Sequence, residues 1–173
     1  MEDSSRKNPI GFTDLIGAQG VSKSDPRIHL LGAIDEASAA LSLAKGFMPT
    51  VDDIGSITKC QKDLSHLMGF SARIGTEKMQ PEDPGFFAKE LIELESTLEK
   101  LKSQVVLPNR FVFPGENQAT GALDLARAII RRVEREVNEG YDNLGVQAPN
   151  ARQYLNRLSS LCYLLLIKYS GGE

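Results

Sequence analysis

Three guanidiniums and one carboxylate share a single stripe of one predicted helix, and they are the residues best placed for chemistry. The helix spans Asn117–Glu139, around Arg127, Arg131, Arg132, Glu134 and Arg135. At about 100° per residue, Arg127, Arg131, Glu134, Arg135 and Asn138 fall within roughly a quarter of the circumference. Ala122, Ala126, Ile129, Ile130, Val133 and Val137 take the other side, as a core-facing stripe should. Forked cations flanking one carboxylate suit a polyanion site, or a charged joint between subunits. The competing reading is a solvated face laced by Arg/Glu pairs at i,i+3 and i,i+4. Arg132 points about 100° away from Arg131 and belongs to a different surface.

Four further helices must position this one. The first opens at Asp25-Pro26, an N-cap followed by proline at the first helical position, and ends near Gly46. The second runs from about Asp52 to Ile74, with Gly75 past its end. The third covers about Phe86 to Ser103, where Phe87, Leu91, Leu94, Leu98 and Leu101 form a bundle seam. The helix carrying the arginines stops at Gly140, and the fifth spans Asn150–Tyr169. The pattern predicts an all-α, five-helix antiparallel bundle over residues 25–173 and no strand. Residues 1–24 are Gly-rich and irregular, either a tail or a loop that wraps a site. The linker Gln104–Glu116 is apolar and is expected to pack across the bundle.

The 173 residues suit one domain with a substantial core, and the 41% hydrophobic and 25% charged contents are those of a globular protein. A formal net charge of −3 argues against nucleic acid or an anionic membrane as a general partner, so any anion site must be local. Cys60 and Cys162 fall at apolar helical positions and read as buried thiols. Neither has metal-ligand spacing with His29 or His66, so no metal site is expected from the chain. No apolar run approaches the ~20 residues of a membrane span, and a cytoplasmic location follows as the expectation.

Three segments together resemble the PduO-type ATP:corrinoid adenosyltransferases. The first is Gly11-Phe12-Thr13-Asp14-Leu15-Ile16-Gly17, continued by Ser22-Lys23-Ser24-Asp25-Pro26-Arg27 and Gly32-Ala33-Ile34-Asp35-Glu36. The second is Phe111-Val112-Phe113-Pro114-Gly115 with Ala126-Arg127 and Arg131-Arg132-Val133-Glu134-Arg135. The third is Tyr154-Leu155-Asn156-Arg157-Leu158-Ser159. The resemblance implies a ferritin-like helical bundle assembled as a homotrimer, with active sites between subunits. It implies transfer of the 5′-deoxyadenosyl group of ATP to cob(I)alamin with release of triphosphate, with Mg²⁺ as cofactor and a reductase as partner. By the same resemblance Arg131, Glu134, Arg135 and Asn156 hold ATP, and Lys23 and Arg27 belong to the segment that folds over its phosphates. Asp35 and Arg127 form a carboxylate–arginine bridge between subunits, counted with Arg131 as the catalytic set, and Phe111 packs under the corrin.

The chain departs from the family pattern at named places. Asn8-Pro9 stand where a Gly-Asp pair opens the phosphate turn, and proline has no N–H to offer. Glu116 replaces a glycine, Ser160 an aspartate, and Ala37-Ser38 a Leu-Asn pair. A second reading is compatible with these changes: a non-catalytic trimeric bundle that binds ATP or a corrinoid as carrier or sensor.

Overall fold

The computed structural model describes residues 8–79, 85–110 and 112–170. Among them are five helices and one short hairpin: β1 (Phe12–Leu15), β2 (Ala18–Ser22), α1 (Pro26–Lys45), α2 (Val51–Ser71), α3 (Ala88–Lys102), α4 (Gln118–Asn143) and α5 (Pro149–Tyr169). The bundle is the architecture the sequence implies. The hairpin corrects the irregular reading of residues 12–22. Its strands are only four and five residues long and lack sustained alternation, so no periodicity announced them. They pair antiparallel in the register Phe12↔Ser22, Thr13↔Val21 and Leu15↔Ala18.

α1 packs between α2 and α4, α4 lies against α5, and α5 lies against α3, with lighter contacts from α2 to α3 and α5. Consecutive helices alternate in direction. Thus Lys59 of α2 meets Glu93 of α3, and Asn156 of α5 meets Glu134 of α4. The core is continuous and built from the predicted faces, including Ile34 and Leu41 of α1, Leu64 and Leu67 of α2, Ile130 and Val133 of α4, and Leu158 and Leu165 of α5. Cys60 and Cys162 are buried free thiols, and burial pushes the Cys60 thiol up to about 12. Among the described residues no helix is long and apolar enough to cross a membrane.

α4 does not stop at Gly140. It continues to Asn143, and the chain turns at Gly145, whose φ is +70°. Gly140 serves packing instead: a Cβ there would meet Leu30 Cδ2 at 2.6 Å and Cγ at 3.1 Å. α3 begins two residues later than its seam suggests, because the buried Phe87 adopts φ +66°.

A buried polar network ties the far end of α5 to the start of α2. Asp53, 4% exposed, accepts hydrogen bonds from Lys168 Nζ at 2.7 Å, Thr50 Oγ1 at 2.7 Å and the Tyr169 hydroxyl. Burial pushes the Asp53 pKa up, but the bonds from Lys168, Tyr169 and Thr50 together outweigh it and hold the carboxyl below its usual range.

Two outcomes follow. Gly140→Ala gains about 1 kcal/mol of helix propensity and loses about 1–3 kcal/mol to overpacking, so the net change in urea denaturation is destabilising. In a Leu30→Ala background the clash is gone, and the same change becomes stabilising. For Asp53 the folded pKa lies below the unfolded value of about 3.9. Its contribution is therefore complete above that value and is lost as pH falls through the folded pKa. Asp53→Asn should cost about 1–3 kcal/mol at pH 7 and flatten the acid limb of stability, read by denaturant melts between neutral and acid pH.

Candidate functional site

α4 is set in place by its ends and its buried face. Asn117 caps it reciprocally: its Oδ1 accepts from Thr120 N at 2.9 Å, and its own N–H donates to Thr120 Oγ1 at 3.2 Å. With Ala126, Ile130, Val133 and Val137 fully buried, the polar residues can point in only two directions. One is toward α5, the other past α1.

On the α1 side, Arg132 pairs with Glu36 of α1 and lies 3.7 Å from Glu136. This separates Arg132 from Arg131, as the helical angle requires. On the α5 side, Asn156 Nδ2 donates to Glu134 Oε1 at 3.0 Å, so two of the predicted nucleotide residues touch. One turn along, Arg127 and Arg131 line a groove of about 330 Å³ with Ser160, Tyr163, Lys102 and Leu107.

The charges in this region are unequally compensated. Arg127 donates from Nε and Nη2 to Asp124 Oδ1 at 2.9 and 2.7 Å, and Lys102 pairs with Glu99 at 2.6 Å. Among the described residues, Arg131 and Arg135 have no side-chain hydrogen-bond or ion-pair partner. Arg131, beside the groove, and Arg135, one turn on, are cations whose side chains remain available to an anion in a chain of net charge −3. Asn138, on the same stripe, has its amide oxygen buried without a donor.

The remaining predicted residues lie apart from this groove. Asp35 is exposed on α1, and Arg127 of the same chain pairs with Asp124 instead. Lys23 is exposed just after β2. Arg27 is engaged by Asp25 and the Ile74 carbonyl. Leu30 abuts Gly140, so Arg27 lies near the C-terminal end of α4. Arg131 is nine residues back, about 13 Å along the axis, and faces away from α1. One chain therefore does not unite the two halves of the predicted site. Phe111 lies outside the described residues. Around it the linker is less packed than its composition suggests: Val105 and Val112 lean on the core, whereas Val106 is 91% and Phe113 78% exposed.

Sequence reasoning missed Asp124, Lys102 and Tyr163, and it named Asp25 as a helix cap without its bond to Arg27. Asp124 had a legible signal, its i,i+3 spacing to Arg127. Tyr163 stands seven residues, two helical turns, beyond Asn156 and shares its face. Lys102 had none, because only the fold brings the end of α3 to this groove.

The chain matches the family model for cobalamin adenosyltransferase over residues 4–169. It is 32% identical over 162 residues to the corrinoid adenosyltransferase PduO of Salmonella typhimurium, covering 92% of this chain and 47% of that protein. It is 31% identical over 168 residues to a corrinoid adenosyltransferase of Mycobacterium bovis, covering 92% and 84%. The chain thus spans about half the length of the PduO relatives it matches. Its fold is similar to that of a variant PduO-type ATP:corrinoid adenosyltransferase from Lactobacillus reuteri complexed with cobalamin and ATP. The TM-score is 0.75 and the identity 24%, over 91% of this chain and 87% of that one. With the arginine stripe, the bundle and the match along nearly its whole length, the chain belongs to the cobalamin adenosyltransferase family.

Proposed function

We propose that the protein transfers the 5′-deoxyadenosyl group of ATP to cob(I)alamin, forming adenosylcobalamin and releasing triphosphate. The observation that carries this reading is the pair of partnerless guanidiniums, Arg131 and Arg135, flanking the Glu134–Asn156 contact. Arg131 and Arg135 hold the triphosphate, and Glu134 and Asn156 position the nucleoside. Cobalt is the substrate's own nucleophile: its electron pair forms the bond to C5′, the C5′–O bond breaks, and that pair departs with triphosphate. The protein then needs no Ser, Cys or His nucleophile. It supplies in-line placement and cations for the departing charge.

Among the described residues no three carboxylate, imidazole or thiol groups converge. A Mg²⁺ ion would therefore arrive on the triphosphate, with Glu134 the single carboxylate of the stripe. Phe111 closes the lower face of the corrin. A reductase supplies the cob(I) state, and the work is done in the cytoplasm.

The assembly is a homotrimer with shared sites, Asp35 of one copy bridging to Arg127 of the next. Two features support it. The segment carrying Lys23 and Arg27 and the arginine groove lie on different sides of one chain, so a complete site needs a second copy. The outer face of α1 and α4 also looks unfinished: a groove of about 590 Å³ runs along Gly32, Glu36, Arg132 and Gly140, and Leu43 and Leu125 are 48% and 50% exposed.

The carrier or sensor reading is favoured by one observation. Phe12 N donates to Pro9 O at 3.1 Å with Gly11 at φ +88°, a turn of type II pattern in which Pro9 offers no N–H to a phosphate. An anaerobic assay with reduced cobalamin, ATP and magnesium separates the two. Adenosylcobalamin and triphosphate are expected; ATP binding without product would favour the carrier.

Arg131→Ala should weaken ATP binding by about 10- to 100-fold, the worth of a charge-assisted contact. Arg132→Ala should leave ATP affinity within about threefold and change stability little, because its pairs are exposed. Calorimetric titration and thermal melts read both. Equal affinity losses would show that the stripe is misassigned. Sedimentation should give a trimer at micromolar concentration, and Asp35→Arg combined with Arg127→Asp should restore assembly lost in either single variant. A wild-type monomer would sink the shared-site assembly.

A further inference from the structure

α5 carries Asn156 but has little at its own start to fix how it is turned. Its N-cap position is Ala148, which makes no side-chain cap. The bonds from Gln153 and Arg157 to Glu95, at 3.2 and 3.5 Å, are exposed and constrain weakly. The firm hold comes from the core. Tyr154 is fully buried, and its hydroxyl donates to Asp63 Oδ2 of α2 at 2.9 Å. Its ring stands edge-on to Phe87, with centroids 5.0 Å apart. Burial pushes the phenol's pKa well up, so it stays a donor.

Asp63 is itself only 6% exposed. Its other oxygen, Oδ1, accepts from Lys59 Nζ at 2.6 Å, and Lys59 also reaches Glu93 of α3 at 2.9 Å. A carboxylate at this depth is costly to desolvate, and an apolar side chain of similar size often stabilises a fold as well. What an apolar contact lacks is direction. A hydrogen bond is restricted in both length and angle, so it holds Tyr154, and α5 with it, at one rotation. Asn156 lies two residues on, about 200° around the helix. A turn of α5 that freed Tyr154 from Asp63 would swing Asn156 by the same angle, away from Glu134 Oε1, which now lies 3.0 Å from its Nδ2.

We propose that Asp63 and Tyr154 are positioning residues, whose bond through the core sets the rotation of α5 and thereby turns Asn156 onto Glu134. That the Glu134–Asn156 contact serves a nucleotide rests on the function proposed above; that the core bond sets the contact does not. The inference brings two interior residues, neither of them lining the arginine groove, into the set on which ATP affinity depends.

The test follows the Asn156 side-chain amide by heteronuclear NMR on the full chain, its resonance identified by its loss in Asn156→Ala, alongside ATP titration and thermal melts. Tyr154→Phe removes the donor and keeps the ring. Asp63→Leu removes the acceptor at similar volume and leaves Lys59 its pair with Glu93. Each should move the amide resonance toward that of a solvated side chain and weaken ATP binding by about two- to tenfold, the worth of one neutral hydrogen bond to the nucleoside. With Asn156→Ala added, neither should weaken ATP binding further. Asp63→Leu combined with Tyr154→Phe replaces both partners by apolar groups, so melting should recover toward wild type while the amide shift and the loss of affinity stay. Asp53→Asn, which loosens the other end of α5 at Lys168 and Tyr169, should lower melting and leave the resonance and ATP affinity at wild-type values. An amide resonance unmoved in Tyr154→Phe and Asp63→Leu overturns the proposal. So does an affinity that recovers with stability in the double variant, or a resonance that Asp53→Asn moves as far, since either marks a general loosening. Should the wild-type chain bind no ATP, the nucleotide reading falls, and the amide resonance alone still upholds or overturns the positioning role.

Discussion

The rotation of α4 about its own axis is the constraint on which the site depends. Six fully buried positions, Leu123, Ala126, Ile130, Val133, Val137 and Tyr141, with Ala122 close behind, fix that angle. The contact of Leu30 with Gly140 brings α1 in close on one flank. A packed interior tolerates little slippage, because rotating the helix by one residue position would turn guanidiniums into hydrocarbon. With the angle fixed, Arg131 and Arg132 take opposite fates. Arg132 is neutralised by Glu36 across the α1 joint, and Arg131 is left facing a groove.

That asymmetry is the electrostatic content of the site. An exposed ion pair contributes little to stability, so Arg132 and Glu36 do no more than lace two helices. Charges kept apart from carboxylates have a different consequence. They repel one another mildly, are solvated while the groove is open, and become strong donors once an anion displaces that water. Asp124 limits the repulsion by taking up Arg127, leaving Arg131 and Arg135 as the uncompensated pair. Glu134 lies between them on the helix surface, and Asn156 engages its carboxylate from α5. The face of α4 that runs past the groove is therefore mixed in charge rather than simply positive.

Much of the fold was legible. Asp25-Pro26 announced α1, and Asp25 does cap it. The Leu91–Leu101 seam marked α3, and its leucines are buried. The alternation of the α4 stripe with its core face survived intact. The failures have local causes. Gly140 was read as a stop because glycine usually ends helices, whereas here the missing Cβ makes room for Leu30. The hairpin was invisible because its strands are only four and five residues long and carry no sustained alternation. Arg27 matched a phosphate-segment motif by position, and only the geometry revealed the forked bond to Asp25. A motif fixes which residue stands where; it does not fix what that residue's donors are already holding.

The separation of charges along and around the bundle gives the last step. Lys23 and Arg27 are tied to the C-terminal ends of α2 and α4, and the Arg131 groove lies beyond the opposite flank of α4. No rotamer change spans that displacement, since the whole body of α4 intervenes. In the trimer proposed above, a ligand needing both would meet two copies, and Asp35, exposed on α1, would be available to a neighbour. In such an arrangement assembly precedes chemistry. On the proposed assembly a monomer would hold two half-sites, each with charge but without enclosure, and in open water those charges would be screened. Under the proposed reading, joining copies would exclude water from both halves together, which is when preorganised cations would gain their leverage over a departing triphosphate.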